Sequence, residues 1–114
     1  MQPVAGKPAG MAGYASIYMK LTEKQKRHLR QIAHSLKPVV IVGDAGVTEG
    51  LVRELDLSLE HHELLKVRVN AEDRDSRQAL IEALCEKTRS TLVQRVGHVA
   101  VLYRRAEKPR ITLP

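Results

Sequence analysis

Residues 37–51 read KPVVIVGDAGVTEGL. Pro38 biases the residue before it toward extended backbone, so a helix arriving from upstream must end there. Val39, Val40, Ile41 and Val42 form a short β-branched run, the pattern of a strand buried on both faces. Gly43-Asp44-Ala45-Gly46 breaks that run with two glycines three positions apart. From about Thr48 to Glu60 the apolar residues Leu51, Val52, Leu55 and Leu59 recur at helical spacing. Strand, glycine loop and helix in succession make one βα unit, which sets the class as α/β.

The flanks extend the same alternation. Upstream, Thr22 and Gln25 stand three apart before an apolar stripe of Leu29, Ile32, Ala33 and Leu36, which predicts a capping box and a first helix. Lys24, Arg27, His28 and Gln31 fall on the polar face of that helix. Downstream, LLKVRVN (residues 64–70) alternates, with Leu65, Val67 and Val69 on one face and Leu64, Lys66 and Arg68 on the other. A third helix is expected from about Asp75 to Thr88, with Leu80, Ile81, Leu84 and Cys85 inward. TLVQRV and HVAVLYR then read as a hairpin around Gly97. The order αβαβαββ predicts a two-layer fold with one mixed four-stranded sheet. Residues 1–19, rich in Gly, Ala and Pro and without periodicity, read as a flexible extension, leaving residues 20–114 as the domain.

Charge is unevenly spread over the 114 residues. Residues 20–37 hold six Lys or Arg against Glu23, a net +5, and residues 104–114 carry +3, whereas residues 38–103 sum to −3. Positive charge gathered in the first helix and the tail attracts a polyanion, and nucleic acid is the expected one. Aromatic content is 3%, three tyrosines with no Phe or Trp. That disfavours modules which stack bases on exposed rings, so recognition should rest on backbone and shape. The N-terminus has no continuous apolar stretch of the secretory kind, and no run approaches the ~20 apolar residues of a membrane span. One cysteine rules out an internal disulfide, which suits a reducing, cytoplasmic setting.

Glycines let a loop approach a ligand closely, and a helix N-terminus favours an anion. An isolated G-x-x-G is more often a plain strand-to-helix turn, and Asp44 opposes a phosphate. Its carboxylate must point away or cap local amides, leaving the loop's amides to make any contact. No Gly-Lys-Ser/Thr follows, which excludes a Walker loop. In EHHE (residues 60–63) the histidines are adjacent rather than four apart, so no metal site is expected. Cys85 belongs to an apolar stripe and reads as core. No catalytic constellation is present, and neither enzyme activity nor a cofactor is expected.

Taken together, LT-x-KQ, A-H-x-LKPVV, VG-x-x-G-x-TEG, EHHEL-x-KV and VLYR…P-x-I-x-LP resemble the bacterial YhbY-type RNA-binding proteins, which consist of a single CRM (chloroplast RNA splicing and ribosome maturation) domain. The resemblance covers about residues 20–114. It implies a fold similar to the C-terminal domain of translation initiation factor three, RNA binding without catalysis, and association with ribosomal RNA in large-subunit precursors. It places the family's glycine loop at Gly43-Asp44-Ala45-Gly46 and suggests a basic surface including Lys24, Arg27, Arg30 and Lys37. Asp44 departs from the polar or basic residue that would suit such a loop. A monomer is expected, and the competing reading is an adaptor that meets ribosomal proteins rather than RNA.

Overall fold

The computed structural model describes residues 20–114; the expected extension over residues 1–19 lies outside them. Helix α1 (Glu23–Ala33) begins at the expected box: the Gln25 amide donates to the Thr22 hydroxyl at 3.1 Å, and the Thr22 amide donates to Gln25 Oε1 at 3.0 Å. It stops earlier than the stripe suggests. Leu36 lies in the turn after the helix, its amide on the Ala33 carbonyl at 2.9 Å, yet its side chain still packs beneath α1. Strand β1 (Pro38–Val42) leads to helix α2 (Glu49–His62), strand β2 (Leu64–Val69) and helix α3 (Arg74–Thr88). Strands β3 (Thr91–Val96) and β4 (Val99–Tyr103) close the chain as a hairpin turning at Gly97, whose φ of +58° suits glycine. Asp73 caps α3 by accepting from the Ser76 amide at 2.7 Å, which together with the Ser76 hydroxyl bond holds its carboxyl below the ordinary range.

The sheet order is β1-β2-β4-β3, with β1 parallel to β2 and the other pairs antiparallel. Element order and mixed sheet are as expected, but the layering differs. Leu55 and Leu59 of α2 and Ile81 and Leu84 of α3 pack on Val42, Leu65, Val67, Val69 and Leu102. On the other face, Leu29 and Ala33 of α1 pack on Leu64, Val93, Val101 and Tyr103. The two-layer expectation therefore becomes three layers, because β4 is apolar on both sides, with Ala100 and Leu102 facing α2 and α3 and Val101 and Tyr103 facing α1. A second correction concerns β1. It is an edge strand, and only Val40 and Val42 are buried, while Val39 and Ile41 are 48% and 60% exposed. Helix α1 covers the opposite end of their face.

Between α2 and β2 stands a single residue, Glu63, fully buried and at φ +64°. Its carboxylate accepts the amides of Ala106 at 2.8 Å and of Arg110 and Ile111 at 2.7 Å each. Its own carbonyl takes the Arg104 amide at 2.9 Å. The tail is therefore held by backbone bonds. Ile111 and Leu113 pack under α1, and the Pro114 carbonyl accepts from Gln25 at 3.2 Å. Arg104 braces the same corner, with Nη1 on Asp56 Oδ1 and the Thr88 carbonyl at 2.8 Å and Nη2 on the Asp56 carbonyl at 3.0 Å. Burial raises the Glu63 pKa, but the three amides and the Arg110 charge outweigh it and leave the carboxyl below 4.5.

The β1–α2 connection is a β-turn closed by the Gly46 amide on the Gly43 carbonyl at 3.0 Å. Of the two glycines only Gly46 has a left-handed φ, +71°. A Cβ there would sit 3.8 Å from Leu80 Cδ2, an ordinary contact, whereas one on Gly43 meets nothing within 4 Å. The requirement at Gly46 is therefore backbone conformation, not space.

Two outcomes follow for stability. Gly46→Ala should cost about 1–2 kcal/mol in denaturant unfolding, and Gly43→Ala much less; equal losses would contradict the turn geometry. Glu63→Gln turns one acceptor into a donor facing an amide, and should cost about 2–3 kcal/mol at neutral pH. Because the folded pKa is depressed, the carboxylate's contribution is complete above about pH 4.5 and is lost as pH falls through the folded value. The gap between wild type and Glu63→Gln, measured by urea unfolding over a pH series, should narrow in acid.

Candidate nucleic-acid interface

Lys24, Arg27 and Arg30 stand three residues apart on α1, with Lys24 and Arg27 exposed and Arg30 half-buried. This spacing lines them up along one side of the helix. Glu23, the helix's only acid, pairs with Lys26 at 3.8 Å, and among the described residues no carboxylate lies within ion-pair distance of the other three. Lys37 is exposed but borders a separate recess with Ile32, Leu36, Val39 and Ile111. The structure therefore aligns three of the four expected cations and sets the fourth apart.

Gly43, Asp44 and Ala45 are exposed and Gly46 is half-buried. The turn is separate from α2, which begins at the position near Thr48 that the sequence suggested. Val47 and Thr48 intervene, and Thr48 caps the helix through the Leu51 amide at 3.1 Å. The Gly46 amide is occupied in closing the turn, whereas those of Asp44 and Ala45 have no hydrogen-bond partner among the described residues. Among the described residues nothing bonds to the Asp44 carboxylate, so it caps no local amide and stands in solvent.

Sequence reasoning overlooked the sheet surface between these two features. Arg30, Ala33 and His34 of α1 form one wall of a groove of about 390 Å³, floored by Lys66, Gln94, Val96, Val99 and Val101. Beyond it, Ile41, Arg68, Val99 and Val96 are register partners in one row from edge to edge of the sheet. The alternation of residues 64–70 had put Lys66 and Arg68 on this face; what it lacked was how little of the face α1 covers. The tail, conversely, has less free charge than its sequence suggests. Arg104 is engaged at Asp56 and Thr88, and Arg110 donates to the Glu60 carbonyl at 3.0 Å.

The remaining candidates offer no chemistry. Burial pushes the Cys85 thiol up to about 11, so the reactive thiolate is scarce at neutral pH. The His61 and His62 rings lie 6.4 Å apart and tilted by 59°, and among the described residues no group of three or more His, Cys, Asp or Glu is placed to hold a metal. No helix among them is long and apolar enough to cross a membrane.

Comparison with known proteins agrees along the length of this fold. Residues 21–104 match the CRS1/YhbY (CRM) domain. An RNA-binding protein of Haemophilus influenzae is 46% identical over 94 residues, 82% of this chain and 95% of that protein. A protein of Pseudomonas aeruginosa named a probable RNA-binding protein is 46% identical over 95 residues, covering 83% and 91%. The solution structure of a hypothetical Staphylococcus aureus protein, suggested to bind RNA, superposes with a TM-score of 0.73 at 42% identity, over 83% of this chain and all of that one. With the domain matched from the start of α1 to the end of β4, the chain belongs to the CRS1/YhbY (CRM) family.

Proposed function

We propose that this protein is a non-catalytic RNA-binding factor that associates with structured ribosomal RNA in large-subunit precursors, in the cytoplasm. The observation that carries the reading is the run Lys24, Arg27 and Arg30, three cations on one helix with no carboxylate among the described residues within ion-pair distance of them. Such a row meets phosphates and positions RNA without reading its sequence. The turn at Gly43–Gly46 adds close backbone approach, through the amides of Asp44 and Ala45, from the far end of β1. The relatives named for RNA binding support the same class of partner.

Binding should weaken steeply with salt, by a slope of about 0.7–0.9 per phosphate contacted. Changing Lys24, Arg27 and Arg30 together to Gln should lower that slope by about 2–3 and weaken every RNA alike. A salt-insensitive complex would falsify the phosphate contacts. Asp44→Lys should tighten binding while leaving thermal stability unchanged, since its carboxylate bonds to nothing among the described residues; unchanged affinity would move the turn out of the interface. Co-sedimentation with ribosomal particles should vanish after complete RNA digestion. Association that survives digestion would favour an adaptor that meets ribosomal proteins.

A further inference from the structure

We propose that the uncovered strip of sheet beside α1 seats an unpaired nucleotide of the bound RNA, its base on the aliphatic floor and its phosphates held by Arg30, Lys66 and Arg68. The proposal rests on the RNA-binding reading and adds which part of an RNA the protein selects. It begins from incomplete coverage. Helix α1 buries Leu64, Val101 and Tyr103 and leaves the other half of that face open. There Ile41 and Val96 are 60% and 63% exposed, although the sheet's opposite face is fully packed.

Charge decides the occupant. None of the four strands contains an Asp or Glu, and the open half of the face presents Lys66 and Arg68, with Arg30 over its edge. Arg68 Nε donates to the neutral Asn70 side chain at 3.0 Å, which fixes the guanidinium without cancelling its charge. An apolar floor rimmed by cations that pair with no carboxylate among the described residues is complementary to a nucleotide, a flat ring system attached to phosphates. Position agrees with charge. The row Ile41, Arg68, Val99 and Val96 lies toward the β1 end from which the glycine turn leaves, so the strip joins the α1 cations to that turn.

Shape then selects unpaired over paired RNA. In an A-form duplex the bases are stacked inside and only phosphates and ribose edges face outward. A groove of about 390 Å³ lies at the small end of the range for small-molecule sites, and a duplex cannot enter it. A bulged or looped base can, while the adjoining stem rests on α1. The floor carries no aromatic ring, so the base gains apolar burial rather than ring stacking and its identity is weakly read.

The test compares a short RNA hairpin carrying a bulge with the same hairpin fully paired, using the full chain. Wild type should bind the bulged form about tenfold more tightly, the gain expected from burying roughly 50–60 Å² of base on an apolar floor. The double variant Ile41→Ser, Val96→Ser changes two exposed residues and no charge, so it should fold normally. It should lose that preference while keeping its affinity and salt slope for the paired hairpin. Arg68→Gln should weaken the bulged hairpin selectively. If wild type binds both hairpins equally, or the double variant keeps the preference, the strip is not the site although RNA binding stands. If neither hairpin binds, the RNA reading fails as well. A dimer in solution abolished by Ile41→Ser, Val96→Ser would assign the strip to a second copy of this chain and overturn the proposal.

Discussion

The buried carboxylate of Glu63 is the joint on which the structure depends. A charged group with no exposure is costly unless it is well hydrogen-bonded. Here three backbone amides, all from the tail, bond both of its oxygens. The requirement runs both ways: the tail is ordered because the carboxylate needs donors, and the carboxylate is tolerated because the tail supplies them. The held tail then places Ile111 and Leu113 beneath α1 and joins its last carbonyl to Gln25. The basic helix thus owes part of its position to a residue on the far side of the sheet sequence. Tyr103 lies beside this joint, and its hydroxyl pKa is raised by burial and by the Glu63 charge.

The two faces of the sheet have different tasks. One is sealed by α2 and α3 with aliphatic residues from all four strands and both helices. The other is sealed only where α1 and the tail reach, and the remainder is a mixture of valine, isoleucine and cations. Division of this kind lets a small domain keep a complete core while leaving a flat, rigid surface free. Surfaces built on strands hold their side chains more firmly than loops do, and the pleat fixes which residues project together.

Much of this was legible in the sequence, for identifiable reasons. The capping box, the alternation of residues 64–70 and the hairpin at Gly97 are local patterns with local causes, and they appear where expected. Most of the misjudged elements depend on distant partners. Residues 39–42 read as a strand buried on both faces because β-branched runs look alike at the edge and in the centre of a sheet. The second glycine of the turn was legible as a glycine requirement, but not that its amide is spent inside the turn. Glu63 sat within EHHE and drew attention only as part of a possible metal pattern, because its partners lie more than forty residues away. The same distance hid the engagement of Arg104, which reads as free charge in the tail.

Edge strand β1 has one further consequence. Its sequence PVVIV is short, apolar and uncharged, and among the described residues one side of its backbone has no neighbouring strand. Such an edge is a template on which another chain can add, the usual first step of β-aggregation. Its partial defences are positional: Lys37 and Pro38 stand at its entrance, the register shift between Pro38 and Val40 bends it, and Asp44 stands just past its exit. The opposite edge is better protected, with Arg95 inside β3 and a register shift of its own. Asp44, awkward beside a phosphate, thus stands where a gatekeeper charge would, two residues past the exit of an apolar edge strand.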